Sequence, residues 1–282
     1  MSAPSLGRRS VLGLVAVATA AVLVQQWSPW TTSHSSTTAI GPVAASATPA
    51  PREASWADVV SDRSPGGTSI EDVIAGLRVV DALPDVDGYD RGCGTEKKTG
   101  RREACVFGPA WTDDSTAPSS HNGCDTRNDV LGAQLTDVTF KPGTRDCKVV
   151  SGTLADPYTG AVIAFTSGRD TSAAVQIDHV FPLSRAWDAG AASWPLDRRT
   201  AFANDTALNL LAVDGPANNS KSDSGLDTWL PPNTAFSCDY ATRYLTVADA
   251  YELAVTTGDV AAARTVCGST PQGPSTAAGQ VG

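Results

Sequence analysis

The residues best suited to chemistry in this chain lie between Ile177 and Lys221. Asp178 and His179 are adjacent in IDHVFPL, and Asn209 sits in LNLLAV. The string NNSKSD places Asn218 three residues before Lys221. A histidine can act as a general base, Asp and Asn as hard oxygen ligands, and Lys as a contact for phosphate. Hydrolysis of a phosphodiester with one metal ion needs those residue types. An isolated Asp-His pair would read as a structural histidine at a strand end, bonded to backbone. The ordered asparagines downstream turn the reading toward chemistry.

The elements around these residues set conditions on that reading. Residues 174–180 have strand composition, and strand alternation sends Asp178 and His179 to opposite faces. Both serve one site only if the strand ends or bends there, and Pro182 is compatible with an end. Asn209 is flanked by apolar residues, where an unsatisfied amide costs roughly 1–3 kcal/mol. It reads either as a tie between the strand and the loop after His179, or as an ordinary polar residue on a strand edge. Asn218 follows Gly215-Pro216 at a helix start, so helix capping and metal ligation both suit it. It shares a helix face with Lys221, which reads as a phosphate contact. Arg127 reads equally as a phosphate clamp or as an ion-pair partner of Asp125 or Asp129. Asn204 and Asp205 read first as helix-terminal caps. His34 falls in a linker, and His121 in a loop that contributes only if folding brings it in.

Beyond the site, apolar spacing at 70, 73, 74, 77 and 80 predicts a helix from Ser69 to Leu83, capped by Ser69 and stopped by Pro84. A helix is expected from Asp125 toward Leu135. Strands are expected over 135–141, 148–154, 161–166 and 208–213, with DPYTG as a turn. Helices are expected over 184–192, 196–204, 217–223, 240–253 and 259–266. The fold class is α+β, a single disulfide-stapled domain over residues 56–270.

Arg8-Arg9 precede a 14-residue apolar run, Val11 to Val24, shorter than the ~20 residues of a spanning helix. Residues 1–47 therefore read as a twin-arginine-like export signal, 48–55 as a linker and 271–282 as a tail. An uncleaved leader would leave the protein anchored at the envelope. The six cysteines have no C-x-x-C pair, and an even count in an exported chain predicts disulfides. The preferred pairing is sequential: Cys93–Cys105, Cys124–Cys147 and Cys238–Cys267. The formal charge of −9 argues against tight, non-specific coating of nucleic acid. A local basic groove and a divalent cation would offset it.

IDHVFPLSRAW, FAND, NLLAV, NNSKSD and the trailing TWLPP resemble the HNH, or ββα-metal, endonucleases. The likeness is to secreted actinobacterial members, whose nuclease domain is related to that of GmrSD-type restriction enzymes. YDR, FGPAWTDD and NGCDTRNDVL resemble the same family's N-terminal half, so the likeness spans Tyr89 to Cys267. It implies a ββα-metal core with flanking helices. It makes Asp178 and Asn218 metal ligands, His179 the general base and Asn209 an orienting residue. The oxygen donors then favour Mg²⁺ or Mn²⁺ over Zn²⁺. It also implies 5′-phosphate and 3′-hydroxyl ends. The insert CGTEKKTGRREAC departs from the family pattern, and reads as a basic substrate-facing loop or as a solvated disulfide loop.

The expected protein is thus a secreted, monomeric, metal-dependent endonuclease acting on DNA, with RNA as a further substrate and no stable membrane partner once the signal is removed. The alternative is a non-catalytic exported binding or envelope protein that keeps the scaffold. G-x-S-x-G and H-E-x-x-H signatures are absent, which sets aside serine esterases and zincins.

Overall fold

The computed structural model describes residues 69–92 and 106–268. The leader, the linker, the tail, the Cys93–Cys105 pairing and the basic insert lie outside the described residues. The architecture is α+β, as expected from the sequence.

Helix α1 (Ile70–Ala75) opens with a capping box between Ser69 and Asp72 and closes at Gly76. Strand β1 (Arg78–Val80) follows at once and pairs in parallel with β7 (Ala254–Thr256). The single helix expected through Leu83 is therefore a helix and a strand. Gly76 ends the helix, and the β-branched Val79-Val80 take a strand partner more than 170 residues away in sequence. The helical spacing of the apolar residues continued past the true end by coincidence.

Helix α2 (Thr126–Gln134) is capped by Asp125. Strands β2 (Thr136–Phe140), β3 (Val149–Ala155) and β4 (Val162–Thr166) form an antiparallel sheet in that order. The Cys124–Cys147 disulfide ties the start of α2 to the β2–β3 connection. Strand β5 (Val175–His179) comes next, followed by α3 (Leu183–Ala189) and α4 (Leu196–Ala203). Strand β6 (Leu210–Asp214) pairs antiparallel with β5 and runs directly into α5 (Gly215–Lys221). Helices α6 (Ser237–Ala250) and α7 (Thr257–Cys267) flank β7 and are joined by the Cys238–Cys267 disulfide. Both disulfides within the described residues follow the sequential pairing. Strand β7 was not expected. Helix α6 stops three residues early, and Ala254-Val255-Thr256 pairs with β1 instead.

The β5–β6 pair lies between two apolar clusters. Val175, Ile177, Leu210 and Ala212 pack with Val130, Leu131, Val149 and Phe165. Leu211 and Val213 belong to the larger cluster with Phe181, Phe202, Tyr240, Tyr244 and Val255. Burial on both faces explains why LNLLAV reads as a nearly continuous apolar run. It also makes register costly to change, because a one-residue slip exchanges the faces. No described helix is long and apolar enough to cross a membrane.

Candidate active site

Strand β5 ends at His179, so the required strand end is present. Asn209 holds the chain as it leaves the strand. Its Oδ1 accepts from the Phe181 N–H at 2.8 Å, and its Nδ2 donates to the Phe181 carbonyl at 3.4 Å. The Val180 N–H donates to the Asn209 carbonyl. Asn209 is fully buried, and these bonds satisfy its amide. Of its two sequence readings, the geometry is that of the tie. Pro182 then N-caps α3 and turns the chain away.

The pleat still separates the neighbours. His179 lies on the face of Ile177 and Leu210, whereas Asp178 faces Tyr158 and Lys221. The two side chains therefore do not both face α5, although both border one cavity.

His179 is buried, and its Nε2 lies 2.8 Å from the Ala203 carbonyl. A carbonyl oxygen only accepts, so Nε2 carries the hydrogen in the neutral ring and Nδ1 keeps the lone pair. The Trp111 ring stacks on the imidazole at 15°, with centroids 5.7 Å apart. Burial, with Arg91 next in effect, holds the His179 pKa down to about 3, against the Ala203 hydrogen bond. The ring is thus neutral at physiological pH, with its remaining lone pair on Nδ1. Between about 3 and the ordinary 6.5, the unfolded chain binds a proton that the folded ring does not. This contribution to stability is full above 6.5 and is lost as pH falls toward 3. Thermal melts between about pH 7 and about pH 4 should therefore show Tm falling less steeply in His179→Phe than in the wild type. Parallel declines would contradict the assignment.

Asp178 is also buried. Its Oδ2 accepts from the Tyr158 hydroxyl at 2.5 Å, and its Oδ1 pairs with the Lys221 ammonium at 3.0 Å. Lys221 also donates to the His179 carbonyl at 2.9 Å. Burial pushes the Asp178 carboxyl up and the Lys221 ammonium down, while their mutual attraction and the Tyr158 hydrogen bond act the other way. The expected Lys221–phosphate contact is corrected here. Its side chain is fully inaccessible and is spent on Asp178 and the strand end.

The cavity beside these groups has a volume of about 550 Å³. Asn218 lines it, and capping is not its role, because Asp214 caps α5 by accepting from the Ala217 N–H. The Asn218 Nδ2 donates to Gln176 Oε1 at 2.8 Å, which leaves its Oδ1 as the acceptor. Arg127 borders the cavity but makes neither expected ion pair. Its Nη2 donates to the Ser172 and Val175 carbonyls, so it braces the start of β5, and burial lowers its pKa. His121 stays in an exposed loop away from the cavity. Asn204 caps α4, and Asp205 accepts from the Ala207 and Leu208 N–H groups and the Tyr251 hydroxyl.

Three site residues were not singled out from the sequence. Tyr158 sits in the DPYTG turn, where a large aromatic among turn formers was the available signal. Arg91 and Trp111 line the cavity, and each lies in a family-like string, YDR and FGPAW, without an assigned role. Arg243, buried in α6, clamps β6 by donating to the Leu208 and Leu210 carbonyls.

Two side chains on the cavity wall, Asp178 and Asn218, keep oxygen acceptor capacity. The Asp178 carboxylate keeps lone pairs beyond those used by Tyr158 and Lys221. Asn218 offers its amide oxygen. Among the described residues, no group of three or more His, Cys, Asp and Glu converges. Asp178 and Asn218 alone do not make a closed zinc cage, and a hard cation held by them would need water or substrate oxygens to complete its shell.

Two antiparallel strands, β5 ending in the Asp-His pair and β6 running directly into α5, thus frame the cavity. Residues 125–259 match the model of the C-terminal domain of GmrSD restriction endonucleases, which is just under half of the chain. An uncharacterized secreted protein of Arthroderma benhamiae is 39% identical over 140 residues, covering 49% of this chain and 64% of that relative. The chain thus spans less than two thirds of that relative's length. No solved structure matches.

Proposed function

We propose that this protein is an exported, metal-dependent nuclease that hydrolyses phosphodiester bonds in nucleic acid, DNA above all. The carrying observation is the imidazole of His179, which borders a large polar cavity and is pinned through Nε2 to the Ala203 carbonyl, so that its lone pair is on Nδ1. In this reading Nδ1 removes a proton from water as the water oxygen attacks phosphorus. The bond to the leaving O3′ breaks, and that oxygen takes a proton from solvent. Asn209 and the Ala203 carbonyl fix the base in position, and Trp111 restricts its ring. Asp178 and Asn218 would hold Mg²⁺ or Mn²⁺, which when bound stabilises negative charge on the phosphate oxygens. Arg91, at the cavity edge, supplies positive charge for the backbone of the substrate.

The match to a restriction-endonuclease domain supports a nuclease role, and the secreted relative and the disulfides support export. Purified protein should nick supercoiled plasmid in Mg²⁺ or Mn²⁺, and EDTA should abolish nicking until the metal is restored in excess. Cleavage that persists unchanged in EDTA would remove the metal from the account.

The second reading, a non-catalytic exported binding protein on the same scaffold, draws on the net charge of −9. Absence of cleavage of DNA and RNA across the metal series, with no thermal stabilisation by Mg²⁺ or Mn²⁺, would favour it.

A further inference from the structure

A second, smaller cavity of about 60 Å³ opens beside His179. It shares Arg91, Trp111, His179 and Leu183 with the large one, so the two meet at the proposed catalytic ring. Phe107, Pro109, Ala110 and Trp111 give it largely apolar walls, and Asn204 borders it. Asn204 is only 1% exposed. Its Nδ2 donates to the Thr200 carbonyl at 2.9 Å, which sets the orientation of the amide. Its Oδ1 is buried and meets no donor among the described residues. An acceptor in that state is costly to fold around, and it asks for an N–H from outside. Trp111 itself holds φ at +55°, a strained value for a non-glycine residue, and this strain sits at the mouth of the cavity.

We infer that this cavity takes the amino-bearing edge of one unpaired nucleobase next to the cleaved phosphate. The inference rests on the phosphodiesterase reading of the adjacent site. The volume admits the edge of a ring and not a whole base, so the rest of the ring lies at the mouth against Trp111. The exocyclic amine of cytosine or adenine donates to Asn204 Oδ1. In uracil a carbonyl stands where cytosine carries its amine, which sets acceptor against acceptor. A paired base has its amine occupied, so the subsite calls for single-stranded or flipped nucleotides.

The test compares deoxycytidine and deoxyuridine 15-mers, together with bis(p-nitrophenyl) phosphate, all in Mg²⁺. The wild type should cleave the cytidine oligomer roughly tenfold more efficiently in kcat/KM, equal to about 1.4 kcal/mol. Asn204→Ala should bring the ratio near one. Should that variant lose its fold with the Thr200 bond, Ala110→Leu at the exposed rim narrows the cavity and should do the same. Each ratio is read against the variant's own hydrolysis of bis(p-nitrophenyl) phosphate, so a general loss of activity cancels. Equal cleavage of both oligomers by the wild type, or a ratio that survives both substitutions, overturns the subsite while leaving the nuclease reading intact. If the wild type hydrolyses neither oligomer nor the small diester, the nuclease reading fails and the subsite with it.

Discussion

Lys221→Met is expected to lower the stability of the folded protein by about 3–5 kcal/mol, the cost of stranding one partner of a buried ion pair. The Lys221 ammonium contacts Asp178 Oδ1 at 3.0 Å and the His179 carbonyl at 2.9 Å, and its side chain is wholly inaccessible. Methionine fills most of the same space, so packing changes little and the loss is electrostatic. Asp178 would keep only the Tyr158 hydroxyl as a partner in a low-dielectric site. Urea denaturation checks the prediction through a lower midpoint at unchanged slope. Adding Asp178→Asn to the same chain should recover part of the loss, because the stranded charge is then removed. A lysine that merely met phosphate at the surface would change stability by less than about 0.5 kcal/mol when replaced, and that result would contradict the buried pair.

The second large effect concerns activity. His179→Ala should reduce kcat/KM on oligonucleotides by roughly 10²–10⁴, the usual contribution of a positioned general base. Among the described residues no other histidine lines the cavity. The other described histidine, His121, is in a remote exposed loop, and Lys221 is committed to Asp178. Removal of the ring leaves the Ala203 carbonyl without its donor but keeps the Asn209 bonds to Phe181, so the strand end should persist. Circular dichroism should accordingly be unchanged while cleavage is lost.

What could be read from the sequence follows from the range of the interactions involved. The end of β5 was legible because Pro182 lies three residues past His179. The pairs Cys124–Cys147 and Cys238–Cys267 were legible because each closes a short loop, 23 and 29 residues. The tie made by Asn209 was legible from an amide isolated in an apolar run. Lys221 was misjudged because its partner, Asp178, is 43 residues away. Helix spacing puts Asn218 and Lys221 on one side of α5 without saying which of them turns inward. The same applies to Tyr158, whose turn context hides a side chain that reaches 20 residues along the chain to Asp178. Arg127 failed in the opposite sense. Two acids stood nearby in sequence, yet its guanidinium reaches backbone carbonyls at Ser172 and Val175 across the fold. The break in the first helix was visible as Gly76, but its meaning depended on a strand at 254–256.

Nicking of supercoiled plasmid in one Mg²⁺ or Mn²⁺ buffer, by the wild type and by His179→Ala side by side, tests the central claim most directly. The account predicts nicking by the wild type, and a rate at least about a hundredfold lower for a folded His179→Ala protein. Equal rates for the two proteins would contradict it, as would a wild type that leaves the plasmid intact.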